Sequence, residues 1–145
     1  MSRGYGGESR RPKGSLKMNP MSAESKTYRI VVADDESFIR NVVTLKLRNA
    51  GFEVIEAENG SDALELVREK SPHLLVSDYH MPGLNGAELC TALAGDDAPP
   101  PAILLTAQGN ELPPELMDGI VRRVMSKPFS PRELVSVVRD VLEAA

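Results

Sequence analysis

The chain has 145 residues, 41% hydrophobic and 26% charged, with a net charge of −4 and only 4% aromatics, none of them tryptophan. That suffices for one globular domain whose core is built from Val, Leu, Ile, Ala and Met. A single cysteine, Cys90, excludes an internal disulfide and fits a reducing compartment, and no run approaches the roughly 18 apolar residues of a membrane span.

Residues 1–27 hold six Lys/Arg against Glu8 and Glu24, a net charge of +4, so within the total of −4 residues 28–145 carry −8. This opening stretch has no apolar segment of a secretory signal and no apolar periodicity, and it reads as a disordered basic tail. It either meets an acidic partner or nucleic acid, or is an upstream extension ahead of Met18 or Met21. The acidic remainder, one domain over 28–145, argues against direct DNA binding by the domain itself.

Residues 28–34 (YRIVVAD) are β-branched and then turn acidic, predicting a first strand. A helix follows over 37–51, with Ile39, Val43, Leu47 and Ala50 on one stripe and Gly51 as its stop. Residues 52–58 alternate as a strand, Asn59-Gly60 turns the chain, and 61–70 form a short amphipathic helix. LLVSD (74–78) is a buried strand ending in an acid, followed by Met81-Pro82-Gly83 and a helix around AELCTALA. AILLT (102–106) is a fourth strand, PPELMDGI allows only a short helix, VRRVMS is a fifth strand, and a last helix carries Leu134, Val138 and Val141 on one face. Strand and helix alternate five times and three strands are apolar almost throughout, which predicts an α/β three-layer sandwich around a five-stranded parallel sheet.

In such a sheet, ligands bind beyond the carboxyl ends of the strands. Asp34-Asp35, Asp78, Thr106 and Lys127 all fall at that edge. Taken singly, Asp35 and Glu36 read equally well as helix-favouring acids, Asp78 as a turn residue, Thr106 as a strand-end hydroxyl and Lys127 as a surface lysine. Taken together they are three carboxylates that repel one another unless something positive holds them. Mg²⁺, which takes a few carboxylates and keeps several waters, suits that set, with Lys127 as a second positive group.

VVADDE, SDYHMPGLNGAEL, LLTA and MSKPFSPREL, in this order and spacing, resemble the receiver domain of two-component response regulators, CheY-like proteins, over residues 28 to about 143. The resemblance implies a flavodoxin-like sheet of order 2-1-3-4-5. It implies that Asp78 is the phosphoacceptor, taking its phosphoryl group from a sensor histidine kinase or a histidine phosphotransfer protein. It implies Mg²⁺ held by Asp34, Asp35, Asp78 and the backbone carbonyl of His80, with Thr106 and Lys127 binding the transferred phosphoryl oxygens. His80 and Gln108 then occupy lifetime-tuning positions, Lys127-Pro128 is cis, and Thr106 and residue 124 form the switch.

Two departures bear on output. The switch position, an aromatic in most of the family, is Val124, and Pro113-Pro114 interrupt the fourth helix. The reading that follows is a cytoplasmic, stand-alone response regulator acting on a downstream protein, not a turnover enzyme. The alternative is a phosphorylation-independent interaction module, which would tolerate loss of an acid or of the lysine. A Mg²⁺-dependent phosphohydrolase would show Asp-x-Asp after the first strand where Asp34 and Asp35 are adjacent. An FMN site would need a Ser/Thr/Gly-rich loop there.

Overall fold

The computed structural model describes residues 27–107 and 112–144; the expected basic tail, apart from Thr27, and Gln108 lie outside them. Five strands, β1 (Arg29–Ala33), β2 (Glu53–Ala57), β3 (Leu74–Asp78), β4 (Ala102–Ala107) and β5 (Val121–Lys127), pair in parallel in the order β2-β1-β3-β4-β5. The helices are α1 (Ser37–Asn49), α2 (Gly60–Lys70), α3 (Gly86–Ala94) and α4 (Pro131–Ala144). Between β4 and β5 the expected short helix is a 3-10 turn, Pro114–Asp118. Five residues opening on a proline, with Gly119 at the end, are too few to propagate an α-helix.

The pleat splits the core in two, because successive side chains on a strand face opposite ways. Ile30, Val32, Leu74, Val76, Ile103 and Leu105 face one side and are covered by α1 and α4, which contribute Val43, Leu47, Leu134, Val138 and Val141. Val31, Ala33, Leu75, Ala102 and Leu104 face the other, under Ala63 and Val67 of α2, Leu89 and Leu93 of α3, and Leu116 of the 3-10 turn. Every residue of β3 is buried, as expected for the middle strand of a sheet covered on both faces. Cys90 is buried on α3, and burial pushes its thiol up to about 12, so it acts as a small apolar residue.

The loop after β3 is tightly built. Gly83 turns at φ +75, and Asn85 caps α3 in a reciprocal capping box with Glu88. The Gly86 amide donates to Tyr79 O at 2.8 Å, and a Cβ on Gly86 would stand 2.5 Å from the Asp78 carbonyl oxygen. Gly86→Ala gains about 1 kcal/mol of helix propensity, against about 1–3 kcal/mol for overpacking onto a backbone atom that cannot rotate away. The melting temperature of Gly86→Ala is therefore expected to fall by several degrees. A rise would show that the loop yields freely around Asp78.

Candidate functional site

Strand register brings the polar residues together. Ala33 pairs with Ser77, so Asp34 and Asp78 leave adjacent strands side by side. Asp78 pairs with Leu105, which puts Thr106 one step further out, and Ala107 pairs with Lys127. From β1 the chain crosses to one side of the sheet and from β3 to the other, and that reversal opens the crevice where ligands bind in such sheets.

Asp34, Asp78 and Thr106 are buried, whereas Asp35 is exposed. One carboxylate oxygen from each of Asp34, Asp35 and Asp78 lies within 4.8 Å of the others. Lys127 Nζ stands 3.1 Å from Asp78 Oδ1 and 3.9 Å from Glu36 Oε1. The Lys127-Pro128 peptide bond is cis. Asp34 Oδ1 accepts the Glu36 amide at 2.9 Å, while Asp34 Oδ2 is buried with no hydrogen-bond partner.

Burial dominates the electrostatics. It pushes the Asp34 carboxyl up to about 6, opposed by the Glu36 amide, reinforced by the charge of Asp78 and opposed again by Lys127. Asp78 is raised for the same first reason, with the Lys127 hydrogen bond and charge opposing and Asp35 adding. A buried carboxylate oxygen without a partner, on a residue whose carboxylate clusters with two more, fits a hard divalent cation with oxygen ligands. The helix-capping alternative fares worse: Glu36 is the N-cap of α1, and its side chain makes no capping bond.

Two more of the expected residues, His80 and Val124, are described. His80 is exposed, with its ring edge-on to Tyr79 at 4.9 Å between centroids. Val124 is on the solvent side of β5, 38% exposed and paired with Leu104, where it has no ring to swing. Gln108 lies outside the described residues.

Other contributors went unread in the sequence. Glu36 donates its amide to Asp34 and flanks Lys127. Arg40 holds the Asp34 carbonyl oxygen. The Asn85-x-x-Glu88 capping box did carry a sequence signal, an Asn followed three residues later by Glu ahead of an apolar run.

Residues 30–139 match the family described as the response regulator receiver domain. The chain belongs to that family. It is 37% identical over 118 residues to the phosphate regulon transcriptional regulatory protein PhoB of Pseudomonas aeruginosa, covering 78% of this chain and 51% of PhoB. It is also 37% identical over 117 residues to the DNA-binding response regulator MtrA of Mycolicibacterium smegmatis, covering 80% of this chain and 51% of MtrA. The chain thus spans about half the length of these curated relatives. Among solved structures it resembles the Francisella response regulator 1452 receiver domain, with a TM-score of 0.75 at 28% identity over 81% of this chain and 98% of that one. The chemotaxis response regulator CheY4 of Vibrio cholerae superposes with a TM-score of 0.71 at 25% identity, covering 80% and 99%. No helix among the described residues is long and apolar enough to cross a membrane.

The raised Asp34 carboxyl makes a signed prediction. With its value lifted from 3.8 to about 6, the folded state holds a proton that the unfolded chain releases. Stability from this group is therefore present below about pH 4 and lost as pH rises to about 6, by about 2–3 kcal/mol at most. Metal-free protein should melt lower at pH 7 than at pH 5, and Mg²⁺ should raise the melting temperature more at pH 7. Asp34→Asn should flatten both effects. Equal Mg²⁺ shifts at the two pH values would count against Asp34 as a candidate metal ligand.

Proposed function

We propose that this domain is a phosphorylation-controlled switch in which Asp78 accepts a phosphoryl group from a phosphohistidine of a sensor kinase or phosphotransfer protein. The observation that carries the reading is the pairing of Asp78 Oδ1 with Lys127 Nζ at 3.1 Å, beside the partnerless Oδ2 of Asp34. In the transfer, an Asp78 carboxylate oxygen forms a bond to phosphorus as the bond from phosphorus to the donor imidazole nitrogen breaks. The electron pair leaves with that nitrogen, giving an acyl phosphate and a free imidazole. Lys127 then sits where its ammonium meets phosphoryl oxygens, and Thr106 offers its hydroxyl from the next strand. Mg²⁺ held by Asp34, Asp35, Asp78 and the His80 carbonyl would offset the charge on those oxygens.

The surface beside the site supports a protein donor. Phe38 and Val42 of α1 are exposed, Phe38 by 75%, and with Ile39, Pro128 and Phe129 they line an apolar groove that reaches Lys127. A donor helix seated there would bring its histidine to Asp78. The net −8 of residues 28–145 disfavours DNA as the direct partner of the domain, so a protein is the proposed target.

Incubation with acetyl phosphate and Mg²⁺ should add one phosphoryl group by intact mass, and Asp78→Asn or EDTA should abolish it. An acid-labile phosphoryl group on Asp78→Asn would refute the assignment. In the same assay, Ala substitution of His80 and Gln108 should alter the decay once donor is removed, and unchanged decay would remove them from lifetime control.

The output runs through Thr106 and residues 107–119 in this proposal, because Val124 cannot signal by burying a ring. Hydrogen exchange with and without beryllofluoride should differ mainly in that segment. A response confined to α1 or α4 would place the output elsewhere.

A further inference from the structure

Three hydrogen bonds converge on Asp34, two of them on its main chain. Its amide donates to Ala57 O of β2 at 3.1 Å, and its Oδ1 accepts the Glu36 amide at 2.9 Å. Its carbonyl oxygen accepts from Arg40 Nη1 at 2.7 Å. Arg40 is on the first turn of α1, and its Nε also donates to Glu56 Oε1 on β2 at 2.9 Å. Its side chain is only 12% exposed and that of Glu56 31% exposed. One guanidinium thus joins the strand-to-helix loop carrying Asp34, Asp35 and Glu36 to the neighbouring strand.

We infer that Arg40, held by Glu56, is a positioning residue for the metal-binding acids: it sets the backbone from which Asp34 and Asp35 present their carboxylates. A guanidinium makes both bonds because its Nε and Nη1 protons diverge in one rigid plane, and a lysine ammonium on a flexible stem does not reproduce that fork. The effect on Asp34 is mechanical. With its amide, carbonyl and Oδ1 all engaged, the one polar atom of Asp34 left without a partner is Oδ2, and one of its carboxylate oxygens lies within 4.8 Å of one each from Asp35 and Asp78. Groups that orient metal ligands without touching the metal commonly change its affinity by about 10- to 100-fold. The bland reading is an ordinary ion pair tying α1 to β2, which would change stability without changing the site.

This inference rests on the Mg²⁺ reading above, so its test has one arm with metal and one without. Mg²⁺ affinity is measured by calorimetry on the wild type, Arg40→Lys, Glu56→Ala and a core control, Val138→Ala. Arg40→Lys should weaken binding about tenfold or more, Glu56→Ala should weaken it less, and Val138→Ala should lower the melting temperature with affinity unchanged. In EDTA, native-state exchange of the Asp34 and Glu36 amides should quicken by about tenfold or more in Arg40→Lys, as expected for losing a charge-assisted hydrogen bond that holds the loop. The Ile103 and Leu104 amides should not change. Arg40 has no positioning role if those two loop amides exchange as in the wild type. It has none either if Val138→Ala loses as much affinity as Arg40→Lys. A wild type that binds no Mg²⁺ would defeat the metal reading, and the exchange arm would still decide the role of Arg40.

Discussion

Two carboxylates buried at the end of adjacent parallel strands are the constraint on which this structure turns. Like charges about 5 Å apart repel by roughly 3 kcal/mol even at an effective dielectric of 20, and loss of solvent adds to that cost. The fold tolerates them because Lys127 reaches back from the far side of β4 to lie 3.1 Å from Asp78. The Glu36 amide and Lys127 both act to lower the Asp34 carboxyl, yet burial outweighs them and it stays raised. That residual imbalance is what a cation in the crevice would relieve.

Holding the acids in this way requires rigidity behind them, and the sheet supplies it. β1, β3 and β4 place Ile30, Val32, Leu74, Val76, Ile103 and Leu105 against one helical layer and Val31, Leu75 and Leu104 against the other. Displacing any of these strands would expose several fully buried side chains at once, each worth about 1.5–3 kcal/mol. The loop beyond β3 is fixed in turn by the close approach of Gly86 to the Asp78 carbonyl and by the Asn85–Glu88 capping box.

The sheet was plain in the sequence because its central strands are continuous apolar runs with no competing period, and β3 begins and ends where LLVSD does. The acids at the strand ends were legible for a related reason: an abrupt polar residue after such a run marks the sheet edge. What stayed hidden is what depends on distant pairing. Arg40 and Glu56 are sixteen positions apart, on a helix and a strand, and each alone looks like a solvated polar residue. On α1 the buried stripe of Val43 and Leu47 masked a second apolar set, Phe38, Val42 and Leu45, which faces outward. Helical periodicity marks the stripe that enters the core and says nothing of what a second one meets.

The two flanks of β5 differ in how firmly they are held, and that difference bears on where a signal can leave. α4 buries Leu134, Val135, Val137, Val138, Val141 and Leu142, so its displacement would cost on the order of 10 kcal/mol. The 3-10 turn buries Leu116, with Ile120 just beyond it, and leaves Met117 half-exposed. Rearranging that turn costs only a few kcal/mol, within the range that a new set of charge-assisted hydrogen bonds at a neighbouring site supplies. Thr106, buried near the end of β4, lies in the crevice on the strand that precedes this turn in the chain. In the switch proposed above, a change at Asp78 would therefore meet less resistance toward residues 112–119 than through α4.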